Sequence, residues 1–94
     1  SNTAAVANGD NRYRVYVYDP DGNPVKDVFI QLCDDTTCAF QLTDENGRAE
    51  FSVDVEKVYE VHVLKVPERY REDERAYETL DSYSDVNIFL EKAE

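Results

Sequence analysis

From Tyr13 onward, apolar and polar residues alternate along the chain. "YRVYVY" (13–18) sets Tyr13, Val15 and Val17 on one side and Arg14, Tyr16 and Tyr18 on the other. The same period of two runs through "DVFIQLC" (27–33), with Val28, Ile30 and Leu32 together, and "CAFQLT" (38–43), with Phe40 and Leu42. It continues in "RAEFSV" (48–53), with Ala49, Phe51 and Val53, and "VYEVHVLKV" (58–66), with Tyr59, Val61 and Val63. "DVNIFL" (85–90) ends the series with Val86, Ile88 and Leu90. Successive side chains of an extended strand point to opposite faces. Alternation rich in β-branched and aromatic residues therefore predicts half-buried strands, each with the named set turned to the core.

Turn chemistry separates these runs. "DPDGNP" (19–24) offers Pro, Gly and Asn where a chain reverses, "TDENG" (43–47) ends in a Gly able to take positive φ, and "DVEK" (54–57) is short and polar. Short turns imply antiparallel neighbours. Six or seven strands in about 80 residues predict an all-β fold, a two-sheet antiparallel sandwich of about seven strands.

"PERYREDERAYETLDSYSD" (67–85) does not alternate. Tyr70, Tyr77 and Leu80 would share one face of a helix, but strands on either side favour a long loop with a short edge strand near Ala76–Leu80.

The chain has 94 residues, 41% hydrophobic and 33% charged, which describes one small globular domain whose modest core gains from a cross-link. Residues 1–11, "SNTAAVANGDN", are expected to be a flexible lead-in, in part a tag remnant, and residues 12–94 the single sandwich domain. With no methionine, the chain is expected to be a piece of a longer protein. Twenty-one acidic residues against 10 basic give a formal net charge of −11, and no two Lys or Arg are adjacent. Such a surface repels polyphosphate and anionic lipid, so neither nucleic acid binding nor direct membrane insertion is expected.

Cys33 closes one predicted strand and Cys38 opens the next, with "DDTT" between them. Two positions flanking a four-residue hairpin loop face each other at the separation a disulfide needs. A zinc site wants four ligands, and the chain offers two thiols and one distant imidazole, His62. A redox pair normally has two intervening residues and a helix behind it. The pair Cys33 and Cys38 is read as a disulfide, which implies maturation outside the cytosol.

Candidate sites are few. His62 alternates with Val61 and Val63, so it faces outward with no nucleophile in register. The carboxylates are numerous enough to pair by chance, and none is marked by an apolar pocket. No catalytic residue is assigned. "DPDGNPVKD" places Asp19, Asp21 and Asn23 like an EF-hand calcium loop, but Pro24 stands where the motif needs Gly and Ile30 where it needs Glu. A hairpin turn is the better account, so no metal site is assigned, with a weak extracellular calcium site on the clustered Asp residues as the alternative; no cofactor is expected. Tyr16, Tyr18, Phe29 and Phe89 lie opposite the predicted core. They form either an aromatic platform for a sugar or a partner protein, or a structural set that is covered by the 67–85 segment, packs as cross-strand pairs, or belongs to a face other than the one assigned.

The order of "DPDGNPVKDVFIQL", "TDENGRAEF", "YEVHVLKVPERY" and "VNIFLEK" resembles the collagen-adhesin B-type (Cna-B) and pilin SpaA-like domains. That resemblance spans residues 12–92 and implies a prealbumin-like, Ig-like sandwich used as a repeated module of Gram-positive surface proteins. Many such domains carry an isopeptide bond from a first-strand Lys to a last-strand Asn, with a buried acid between them. Here the first strand has no Lys and Val63 stands at the position of the acid, four residues after Tyr59. Asn87 should face outward, so no isopeptide bond is expected. The resemblance implies a non-catalytic spacer, stalk or adhesion module of a cell-surface or secreted protein, located outside the cell or on its wall. Its partners would be neighbouring domains, with a host protein or glycan as the other class. An extracellular ligand-binding module using the outer aromatics is the alternative.

Overall fold

The computed structural model describes residues 4–94 and is an all-β sandwich of two four-stranded sheets. The strands are β1 (Ala5–Ala7), β2 (Tyr13–Tyr18), β3 (Phe29–Cys33), β4 (Cys38–Leu42), β5 (Arg48–Phe51), β6 (Glu60–Lys65), β7 (Ala76–Glu78) and β8 (Ser84–Phe89). One sheet has the order β1-β8-β2-β5 and the other β4-β3-β6-β7. The strongest alternations fold as they read. Tyr13, Val15 and Val17 of β2, Ile30 and Leu32 of β3, and Val86 and Ile88 of β8 are buried between the sheets.

The 43–47 turn shows how local chemistry fixes the reversal. The Thr43 hydroxyl accepts from Val28 N at 2.9 Å and donates to Val25 O at 2.7 Å, so a buried polar side chain is satisfied on both sides. Asp44 Oδ1 accepts from the backbone N–H of Asn46 and Arg48, and Gly47 closes the turn at φ 72°. Val17 N donates to Gly47 O at 2.8 Å, which fastens the turn to the first long strand.

Four features differ from the sequence reading. An eighth strand exists: Ala5–Ala7, within the expected flexible lead-in, pairs antiparallel with β8 in the register Ala5↔Val86 to Ala7↔Ser84. Three small residues carry no alternation, yet they satisfy the otherwise open side of β8. Residues 1–3 of that lead-in, with whatever part of the expected tag remnant falls on them, lie outside the described residues. Second, β2 and β8 run parallel, with Tyr16↔Asn87 and Tyr18↔Phe89 opposed, in an otherwise antiparallel fold. Almost the whole domain separates these strands, so no hairpin dictates their direction.

Third, Phe40 and Leu42 are 47% and 56% exposed rather than core. The hairpin register opposes Ala39 to Leu32 and Gln41 to Ile30. Since Ile30 and Leu32 face inward, positions 39 and 41 must do so too, which turns Phe40 and Leu42 outward. Fourth, Val53, two residues beyond β5, and Val63 of β6 are only partly buried, packed against the core rather than within it. The 67–85 segment is a loop with a short edge strand at Ala76–Glu78, as the neighbouring strands suggested, and it buries Tyr70 and Tyr77.

Candidate functional site

The outward residues of β2 and β8 form one aromatic row. Tyr16 and Tyr18 stand two apart on β2, with ring centroids 6.5 Å apart and planes 9° from parallel. Parallel pairing sets Phe89 opposite Tyr18, and those rings stack at 5.1 Å. The tyrosines are half-buried and Phe89 is 53% exposed, so the 67–85 loop does not cover the row. Phe29, the fourth aromatic candidate, lies on the other sheet, where it stacks on Phe40 at 5.7 Å. The four rings thus divide between opposite surfaces of the sandwich.

Below the aromatic row, the β2–β8 seam carries charge. Arg14 Nε donates to Asp85 Oδ1 at 3.0 Å, and Asn8 Nδ2 donates to the same oxygen at 2.8 Å. The Asp85 hydrogen bond raises the Arg14 pKa further above its ordinary value, despite the opposing effect of partial desolvation. Asn87 sits in this seam opposite Tyr16, half-buried, between inward Val86 and Ile88. The inner face of β2 presents Tyr13, Val15 and Val17, none of which carries an amine.

Cys33 and Cys38 form a disulfide, with Cα atoms 4.1 Å apart at directly opposed positions of the β3–β4 hairpin. Its loop is braced by Asp34, whose Oδ1 accepts from Thr36 N at 2.9 Å and Thr37 N at 2.8 Å. Those backbone N–H groups hold the Asp34 pKa down to about 2, with Lys57 Nζ at 3.7 Å adding to the effect. Leu32, Asp34, Cys38, Val53, Lys57 and Tyr59 help line an open cleft of about 370 Å³ beside the disulfide.

His62 is partly exposed, with Nε2 3.5 Å from Glu60 Oε1. Asp19, Asp21 and Asn23 lie on a turn in which Asp19 Oδ1 accepts from the N–H of both Asp21 and Asn23. Sequence reasoning missed the polar knot at Asp73. This buried carboxylate accepts from Arg75 Nε at 3.0 Å and from the Tyr77 hydroxyl. "DERAY" does place these three at alternate positions, but nothing in that spacing distinguishes them from the acids around them.

No family model and no curated protein sequence matches the chain. Solved structures do match in fold. The Bacillus anthracis TIE protein aligns with a TM-score of 0.77 at 13% identity, covering 88% of this chain and 16% of that one. The group B streptococcus pilus 2b backbone protein also gives 0.77, at 10% identity, over 89% of this chain and 42% of that one. A streptococcal ancillary pilin gives 0.69 at 12% identity, over 98% of this chain and 34% of that one. The chain therefore spans less than half the length of each of these structures. At these identities the likeness is one of fold: the sandwich is of the pilin, Cna-B-like type that its turn motifs suggested.

Proposed function

We propose that this domain is a non-catalytic structural module, a spacer or stalk unit of a bacterial cell-surface or secreted protein that holds neighbouring domains apart. The parallel, side-by-side arrangement of β2 and β8 carries the reading. Tension between the start of β2 and the end of β8 pulls parallel neighbours lengthwise, so their hydrogen bonds are loaded together in shear. β1 folds back along β8 and is peeled first, through three residue pairs. The pilin-type fold supports the same reading, and the disulfide supports folding in an oxidising compartment outside the cell.

Single-molecule pulling on a tandem array, with handles at both chain ends, tests it. The expected trace has a small early extension as β1 detaches, then one cooperative high-force rupture per domain. Gradual unravelling at low force would sink the load-bearing role.

The exposed row of Tyr16, Tyr18 and Phe89 favours a second reading, an extracellular ligand-binding module for a glycan or host protein. Phe29 has no part in it, being on the opposite surface. Titration of the domain with a panel of oligosaccharides, read on the ring resonances of these three residues, decides this reading. Shifts abolished by Phe89→Ala would support it, and unmoved resonances would remove the glycan.

A further inference from the structure

The β4 strand is an edge with unusual chemistry for this chain. It has a hydrogen-bonded neighbour, β3, on one side only. The β3–β4 ladder is bracketed by Asp34 N donating to Thr37 O and Thr43 N donating to Val28 O, both at 2.9 Å. Antiparallel ladders alternate between bonded and non-bonded pairs. Ala39 and Gln41 therefore bond to β3, while Cys38, Phe40 and Leu42 turn their N–H and C=O groups to the open side. No turn or loop among the described residues reaches those groups.

Native edges are commonly guarded by charge, proline or a bulge on the free side. Here "TTCAFQLT" (36–43) is uncharged in a chain that is 33% charged, and it carries no proline. The other edge strands differ: β5 bears Arg48 and Glu50, β7 ends in Glu78, and β1, though uncharged, is only three residues long and so offers little to an added strand. Beside the open edge, Phe40 stacks on Phe29 and Leu42 is exposed, giving an apolar surface for side chains of an added strand.

Charge selects the occupant. Exposed Asp35 precedes the strand and exposed Glu45 follows it, and neither joins an ion pair among the described residues. A second copy paired antiparallel at β4 would bring acid ends together, between chains of net charge −11 each. We propose that β4 is a strand-acceptor edge for an extended segment of a partner polypeptide, apolar at alternate positions and cationic at both ends. Main-chain bonding to Phe40 and Leu42 would supply affinity, and Asp35 and Glu45 would select the flanks. This goes beyond the stalk reading and does not depend on it.

The test titrates the isotope-labelled, disulfide-intact domain with a synthetic peptide, Lys-Lys-Val-Thr-Val-Thr-Val-Lys-Lys, and follows backbone amide exchange. Protection of Phe40 and Leu42, with Ala39 and Gln41 unchanged, is the expected alternate pattern. A Glu-flanked analogue should bind at least about tenfold more weakly. Phe40→Pro removes an outward N–H without breaking a bond to β3 and should abolish protection at Leu42. Leu42→Lys, which sets a cation against the cationic strand, should weaken binding if the proline variant fails to fold. Absence of protection with the Lys-flanked peptide, or equal protection with its Glu-flanked analogue, overturns the proposal. So does concentration-dependent protection of the same amides without peptide, accompanied by a doubled mass in light scattering, since that identifies a second copy as the occupant.

Discussion

The hydroxyl of Tyr77 donates to Oδ2 of Asp73, with both residues withdrawn from solvent under the 67–78 segment. Arg75 completes the knot by donating Nε and Nη2 to the two oxygens of Asp73, at 3.0 and 3.1 Å, and Nη2 also reaches Phe89 O at 3.2 Å. A loop without a hydrophobic pattern is thereby tied to the end of β8. Burial works to raise the Asp73 pKa, but hydrogen bonds from Arg75 and Tyr77 outweigh it and hold the carboxyl below its ordinary value. Burial, followed by the bond to Asp73, pushes the Tyr77 hydroxyl pKa up.

Replacing Tyr77 with Phe removes one partner of a buried carboxylate and should cost about 1–2 kcal/mol. Asp73→Ala should cost more, because it strands the Tyr77 hydroxyl and frees Arg75 together. Urea denaturation of both variants measures this. Equal stability of wild type and Tyr77→Phe would show that the knot contributes nothing.

The same carboxylate predicts acid sensitivity. Its folded pKa lies below the ordinary 3.8, so its contribution is fully present above that value and is lost as pH falls through the folded pKa. Melting temperature should fall with pH in that window, and Asp73→Asn should flatten the decline. An unchanged acid limb in the variant would assign the effect to other acids.

Asp34 should titrate separately, at about 2, because two backbone N–H groups favour its ionised form. Its support of the hairpin is complete above 3.8 and disappears as pH falls through about 2. Carboxyl-carbon NMR provides the check. A midpoint near 4 would mean that the loop does not hold those hydrogen bonds in solution.

Gly47 and Gly22 separate steric crowding from backbone conformation. Both have positive φ, but a Cβ at Gly47 would lie 2.5 Å from Val17 O, whereas at Gly22 it meets nothing within 4 Å. Gly22→Ala should cost about 1 kcal/mol, the usual penalty of the left-handed region, and Gly47→Ala clearly more. Similar losses in the two variants would refute the close approach of the turn to β2.

Reducing the Cys33–Cys38 bond should cost about 2 kcal/mol, the chain-entropy contribution of a short ring, while leaving the fold in place. Intact mass before and after reduction reads the bond directly, as a deficit of two hydrogens that reduction restores. An additional loss of ammonia would reveal an isopeptide bond, against the expectation from Val63 and outward Asn87.

Alternation alone was enough to place the core faces of β2, β3 and β8, because each strand has one buried and one wet face and the sequence must write that difference residue by residue. The turns were equally legible, since Thr43, Asp44 and Gly47 act through bonds within a few residues, and so was the disulfide, because a four-residue loop sets its two ends opposite each other. Other features depended on partners distant in sequence. β1 exists because β8 has an open side, and β8 lies parallel to β2 because the last long strand returns to the first. Phe40 and Leu42 face outward because their pairing with β3 overrides their hydrophobicity. Tyr16, Tyr18 and Phe89 form a row that excludes Phe29 for the same reason: local alternation assigns a residue to a face, while only the assembly of sheets decides which faces join and which strand edge is left open.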